Sequence, residues 1–397
     1  MRKRLALIAT LSFMASLTAC SAADGNNVPP ATSMESETSS PAGDNTNVET
    51  IKAAENESAS ETVGAGNEDV YTSDLTRATR VSDSEDYYIF DLRDDVTREK
   101  VYYRTRFGIE IAADLYKPKD FDGSKKYAGI VIGPPFGGVK EQGPGVYANE
   151  LASRGFVVVA FDPAYHGYSG GFPRYTGSSS TYVEDFSAGV DYLGSLDYID
   201  REKIGALGIC GSGGFAMSAA SMDTRIKAVV TSALYDISGN MNEITGQARQ
   251  DMLSQMAESR WTKVDTGEDA WLKSYPDEPV DSVPEGMEGD NAEFFEFYGM
   301  KRGWHPNALG NVTAETMPDI MTLPTTGHVN ELNTPLLMIT GDIAHSRNFT
   351  EKLYEQVEGD NKELVIVENA RHIDLYDDVE KIPFEKIAGF YEDAFRK

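Results

Sequence analysis

Residues 203–216, K-I-G-A-L-G-I-C-G-S-G-G-F-A, leave little choice about the fold around them. Ile204 to Ile209 is an apolar run of strand length, a glycine turn follows at once, and Phe215 to Ala220 reads as helix. A strand that turns this sharply into a helix lifts one side chain above the sheet, and small residues around it let the backbone bend that tightly. The spacing glycine–x–nucleophile–x–glycine, laid from Gly208, puts Cys210 at the raised position and Ser212 at the last glycine. Laid on Ser212 it needs glycine at 210 and finds cysteine. Cys210 is the nucleophile this spacing favours, Ser212 is the alternative, and a buried cysteine that merely packs in the turn is the plainer reading.

The flanking pattern sets the architecture. Tyr127–Ile132, Phe156–Phe161, Ile204–Ile209, Ile226–Ala233, Pro335–Thr340 and Glu363–Val367 are continuous apolar strands. Helical stretches at Tyr147–Arg154, Tyr182–Leu196, Phe349–Val357 and Ile382–Phe395 alternate with them, Ser178 to Thr181 supplying cap candidates for the second. Strands without polar alternation, separated by helices, predict a mostly parallel sheet covered on both faces. Tyr87–Leu92, Lys100–Arg106 and Glu110–Lys117 have strand composition, and Arg104 to Ile111 reads as a hairpin at the sheet edge. From about 237 to 333 the alternation stops. Nearly a hundred residues are too many for a loop, so this insertion is expected to carry structure of its own. Met252–Arg260 looks helical, and the aromatics of Glu293–Tyr298 and Trp304-His305 either wall a pocket or pack the insertion's own core. Such a cap selects substrate shape and excludes water.

Residues 1–71 read differently. Met1-Arg2-Lys3-Arg4 is basic, Leu5–Leu17 is apolar but short for a membrane span, and Leu17-Thr18-Ala19-Cys20 ends in small residues before a cysteine. This resembles a bacterial lipoprotein signal, which implies removal of 1–19, lipid on the Cys20 thiol, and export to the cell envelope. Residues 20–71 are rich in Ser, Ala, Asn, Glu, Thr and Gly with almost no large apolar side chains, the composition of a disordered acidic tether. The folded domain is then expected over 72–397. The chain has two cysteines, so lipidation of one leaves Cys210 as the single free thiol. A formal net charge of −28 argues against a sequence-independent grip on nucleic acid.

A thiol or hydroxyl nucleophile needs a base, a group that orients the base, and backbone donors for the oxyanion. Of the five histidines, His372 follows the last strand, as the chain order of such sites requires, with His166 in reserve after an earlier strand. The acid is Asp342 or Asp236, each at the end of a strand, while Asp162 breaks the order. Gly211 N–H supplies one oxyanion donor. The second comes from Phe136 or Gly137, because Pro134 and Pro135 have no N–H. Gly211 to Ala216 fits only the loosest dinucleotide fingerprint, and no phosphate-loop or H-E-x-x-H motif occurs, so neither cofactor nor metal is expected.

Pro135 to Gln142, Phe161 to Gly167, Gly208 to Gly214 and His372 to Asp377 together resemble the α/β-hydrolase superfamily over about 97–397, and within it the dienelactone-hydrolase-like and peptidase S15-like bacterial branch. The resemblance implies an α/β-hydrolase fold with an inserted cap, and a deprotonated Cys210 attacking a small ester, thioester or lactone. A peptidase or acyl transferase on the same site, and a non-catalytic ligand-binding lipoprotein, are the alternatives. The partners expected are a small-molecule substrate and a membrane, reached through the lipid. The chain departs from the branch at Ser212, where glycine is usual, and at Ala344, where an acid is expected.

Overall fold

The computed structural model describes residues 87–267 and 271–396. The signal and tether read from 1–71 lie outside the described residues.

Eight strands form the main sheet: β1 (Val96–Arg104), β2 (Glu110–Pro118), β3 (Tyr127–Gly133), β4 (Val157–Phe161), β5 (Ile199–Ile209), β6 (Ala228–Ser232), β9 (Leu336–Gly341) and β10 (Lys362–Val367). A two-residue pair, β7 (Trp271–Leu272) with β8 (Val312–Thr313), lies apart. The main order is β1-β2-β4-β3-β5-β6-β9-β10. β1 pairs antiparallel with β2, and β2 with β4; every other neighbour is parallel. The helices are α1 (Gly143–Ser153), α2 (Ser179–Ser195), α3 (Gly211–Met222), α4 (Ile237–Glu243), α5 (Gly246–Thr266), α6 (Gly289–Tyr298), α7 (Thr316–Thr322), α8 (Arg347–Gln356), α9 (Asp374–Asp377) and α10 (Phe384–Ala394).

The apolar strands behave as their composition demands. Along β4, Val157, Val159 and Phe161 enter one core while Val158 and Ala160 enter the other, on the opposite face. A strand buried on both faces has no polar alternation to keep. β4 and β5 lie on either side of β3, so the loops leaving the carboxyl ends of β3 and β5 open into the crevice where such sheets bind ligands. The predicted cap of α2 is present: Ser178 accepts from Thr181 N–H, and the Thr181 hydroxyl takes the Ser178 N–H in return. One strand reading fails. Tyr87–Leu92 is irregular, held to α1 by the Asn149 amide on the Asp91 carbonyl and to the loop before α1 by Ile89 N–H on the Glu141 carbonyl.

The insertion between β6 and β9 carries α4 to α7 and the small β7–β8 pair. Its aromatics do both things expected of them. Phe295 and Phe297 are buried in the same core as Cys210, and Phe294 and Tyr298 line the cavity over Cys210. His305 is buried against the ring of Tyr87, and Trp304 donates from its indole to the Pro276 carbonyl.

Candidate active site

Cys210 stands between β5 and α3 with φ +56 and ψ −121, a conformation that L side chains rarely adopt. The turn tolerates it because Gly208 has no side chain: a Cβ there would sit 2.0 Å from the Ser212 carbonyl oxygen. The turn places the Cys210 sulfur at the amino end of α3. Backbone N–H groups of Gly211 and Phe136 both donate to it, one from the helix start and one from the loop after β3. These are two of the three oxyanion donors named from sequence. Gly137 lines the cavity, where its φ of +79 turns the chain.

Ser212 is buried, and its hydroxyl donates to the Pro134 carbonyl. It ties the elbow to the oxyanion loop and has its hydrogen committed there, which explains a serine where glycine is usual. Below that loop lies a buried charged group. Lys140 pairs with Glu141 and lies 3.5 Å from Asp162, whose carboxylate also takes the N–H of Lys140 and of Tyr168. Burial pushes Asp162 up to about 6 despite the lysine. Asp162 therefore braces the oxyanion loop. His166, the reserve base, is buried with Nδ1 on the Ala164 carbonyl and does not line the Cys210 cavity.

His372 is fully buried in the turn after β10. Its Nε2 lies 2.9 Å from the Tyr376 hydroxyl, one helical turn along, and that hydroxyl is hydrogen-bonded to the Cys210 sulfur. Base and nucleophile are thus joined through a tyrosine that sequence reasoning passed over, although its i+4 spacing from His372 was readable. On the other side, His372 Nδ1 lies 2.6 Å from Ser346 Oγ. Neither aspartate expected as the acid is there. Asp236 caps α4, accepting from Gly239 N–H and from the Ser238 and Thr326 hydroxyls. Asp342 makes no side-chain hydrogen bond to His372; its Oδ1 is buried without a partner, and its backbone pairs with Val367. The strand end of Gly341 abuts the His372 loop so closely that a Cβ would meet the Ala370 carbonyl at 1.9 Å. With the loops this near, a residue on the turn into α8 reaches the imidazole, and that residue is a serine. The directions are consistent: the thiol donates to Tyr376 Oη, Tyr376 to His372 Nε2, and His372 Nδ1–H to Ser346 Oγ.

The electrostatics set the resting protonation state. Burial pushes the Cys210 thiol up to about 11, and the hydrogen bonds that Tyr376, Gly211 and Phe136 offer the thiolate only partly offset it. The resting group is a thiol, so the deprotonation expected for attack has to be brought about by the base. Burial, with the neighbouring His345 ring, holds His372 well below its ordinary value. The resting pair is neutral, and the proton must leave sulfur during attack.

The cavity over Cys210 holds about 90 Å³ and is mostly apolar, walled by Phe136, Tyr235, Met241, Phe294 and Tyr298. Polar groups enter it from Asn240, Asp290, Asn291 and His345, the second and third of these from α6 of the cap.

Comparison with known proteins agrees with the fold. The serine aminopeptidase S33 family profile matches residues 145–378. The uncharacterized protein PA2218 of Pseudomonas aeruginosa is 42% identical over 77% of this chain and 82% of its own length, and its crystal structure superposes with a TM-score of 0.74 over 80% of this chain and 99% of that one. The uncharacterized protein YcjY of Escherichia coli is 35% identical over 68% of this chain and 89% of its own length. The acyltransferase drtE of Aspergillus calidoustus is 25% identical over 70% of this chain and 88% of its own.

Proposed function

The chain belongs to the serine aminopeptidase S33 family of α/β-hydrolases, and from that premise we propose that it cleaves a small ester, thioester or lactone through an acyl-enzyme on Cys210. The observation that carries this reading is the continuous hydrogen-bonded line from Cys210 through Tyr376 to His372, with Phe136 and Gly211 N–H on the same sulfur. As sulfur attacks the carbonyl carbon, the thiol proton passes to Tyr376 Oη while the Tyr376 proton passes to His372 Nε2. The carbonyl oxygen gains the electron pair between the two N–H donors, where fixed dipoles stabilise it without reorganising. Collapse expels the alcohol, thiol or lactone oxygen, which takes the proton back along the same line. Ser346 holds the imidazole in the tautomer with hydrogen on Nδ1, the orienting part an acid would fill, without adding a charge.

The cysteine at the elbow, together with the motifs around Phe136, His166 and His372, favours the dienelactone-hydrolase-like branch within the superfamily. Acyl transfer is a second reading, supported by the name of the drtE relative and by the small, mainly apolar cavity, which limits water. The N-terminal sequence supports export and anchoring through lipid on Cys20, with the acidic stretch to residue 71 as a spacer. The decisive experiment is turnover of p-nitrophenyl acetate by the wild type beside C210A, S212A and H372A. Loss of about 10⁴-fold or more with C210A and H372A, and an active S212A, supports the thiol mechanism. Activity lost in S212A alone would assign the nucleophile to serine.

A further inference from the structure

His372 does not line the cavity in which an acyl group on Cys210 would lie; His345 does. Its ring packs against that of His372, tilted by 32° with centroids 4.5 Å apart, and it is flanked by Phe294 and Tyr235. The two nitrogens of His345 are in unlike positions. Nδ1 lies 3.2 Å from Glu293 Oε2 and 3.8 Å from Asp290 Oδ1, both on cap helix α6. Nε2 is buried and has no hydrogen-bond partner among the described residues. Burial would raise Glu293, yet it stays below its ordinary range because His345 and the Ile373 N–H both donate to it. A carboxylate on Nδ1 places the hydrogen there and leaves the Nε2 lone pair unused. A buried nitrogen without a partner is costly, and one on a residue that lines the same cavity as the Cys210 thiol has the position of a working group.

On these grounds we propose that His345, oriented by Glu293 of the cap, is the base that activates water to release the acyl group from Cys210. This deepens the acyl-enzyme reading and rests on it. Two chemical steps then fall to two imidazoles. His372 takes the thiol proton through Tyr376 and does not line the cavity. His345 lines the cavity that an acyl group on Cys210 would occupy, where the attacking water must also stand. In the second step a water proton moves to His345 Nε2 as the water oxygen bonds to the carbonyl carbon. The tetrahedral intermediate collapses, the carbon–sulfur bond breaks, and the sulfur recovers the proton as the acid leaves. The rings are too close to carry charge together, so the steps are sequential: His372 must return its proton before His345 takes one. The cap is then part of the catalytic machinery, because the positioning residue Glu293 belongs to it while His345 belongs to the sheet domain.

The test is pre-steady-state kinetics of the full chain with p-nitrophenyl acetate, read together with the intact mass of the quenched protein. In H345N, p-nitrophenol is expected to appear in a burst of one equivalent at the wild-type rate. Steady-state turnover then falls by about 10²-fold or more, and one acetyl group remains on Cys210. E293Q is expected to slow the same step less. Hydroxylamine, which attacks a thioester without a base, restores release in both variants. A residue that only supports the fold would slow burst and turnover alike, and that result overturns the proposal, as would a turnover unchanged in H345N. A wild type that hydrolyses the ester while neither it nor H345N ever carries acetyl on Cys210 overturns the acyl-enzyme reading itself. Acetyl that accumulates in H345N but resists hydroxylamine overturns only the assignment of the base.

Discussion

The two sides of this active site are built by different means. The nucleophile side is backbone. Cys210 is held by a strained turn, Gly208 makes the room, and the donors to sulfur are main-chain N–H groups of Gly211 and Phe136. The histidine side is side chain. His372, Tyr376, Ser346, His345 and Glu293 come from the loop after β10, α9, the turn into α8 and cap helix α6, and each depends on the next for its orientation. A backbone site is rigid and tolerates little change within its few residues. A side-chain site can exchange members, and here the usual acid has been exchanged: Ala344 stands at its position and Ser346 has taken the contact to His372.

The comparison breaks most visibly at Gly208. Gly208→Ala puts a Cβ 2.0 Å from the Ser212 carbonyl oxygen and 2.6 Å from the Gly213 nitrogen, both backbone atoms at the start of α3. Nothing flexible can yield, so the helix start must move. The expected cost is about 3–5 kcal/mol of stability, measured by denaturant unfolding, with turnover lost even in the fraction that folds. A G208A protein of wild-type stability and activity would show that the elbow does not depend on this contact.

This difference also explains what was legible in the sequence. A backbone turn leaves its requirements in a few adjacent residues, so G-I-C-G-S-G-G and the loop P-P-F-G-G were enough to place Cys210 and two of its donors. The parallel sheet was legible for a related reason: doubly buried strands cannot hide their composition. The partners of His372 were not legible. Whether Asp342 or Ser346 faces an imidazole thirty or twenty-six residues later depends on how the turn after β9 is wound. No pattern in Gly341 to Ser346 states that. His345 and Glu293 are further still from inference, because their contact joins the sheet domain to an insertion whose path the sequence does not give. Tyr87–Leu92 failed for a simpler reason, since strand composition at a sheet margin does not guarantee a partner strand.

The second prediction acts where the two sides meet. Tyr376→Phe keeps the ring against Phe297 and removes the hydroxyl that joins Cys210 to His372. The thiolate loses the hydrogen bond that the Tyr376 hydroxyl donates to it once the sulfur is deprotonated, so the titration of Cys210 moves above the wild-type value of about 11 and its alkylation slows at any given pH. Acylation, followed as the burst rate, is expected to fall about 10²-fold while the fold is kept. An unchanged burst rate would mean that the imidazole reaches the sulfur directly once the tyrosine oxygen is gone.

The smallest effect, and the most informative about the histidine side, is expected from Ser346→Asp, which restores a carboxylate to Nδ1. In the wild type, burial and the His345 ring hold His372 well below its ordinary value. The base works only when neutral, so the acid limb of kcat/KM, which falls as pH drops through the His372 pKa, lies well below pH 6.5. A carboxylate 2.6 Å or so from Nδ1, where the serine oxygen now sits, favours the imidazolium and raises that pKa. The acid limb is therefore expected to move to higher pH, losing activity under mildly acidic conditions where the wild type keeps it, with only a modest change near pH 8. The measurement is the pH profile of kcat/KM for both proteins. A limb that does not move would place the titrating base elsewhere, whereas a shift assigns it to the imidazole that Ser346 holds. A serine in place of the acid is then what keeps this base neutral, and so competent, as the pH falls.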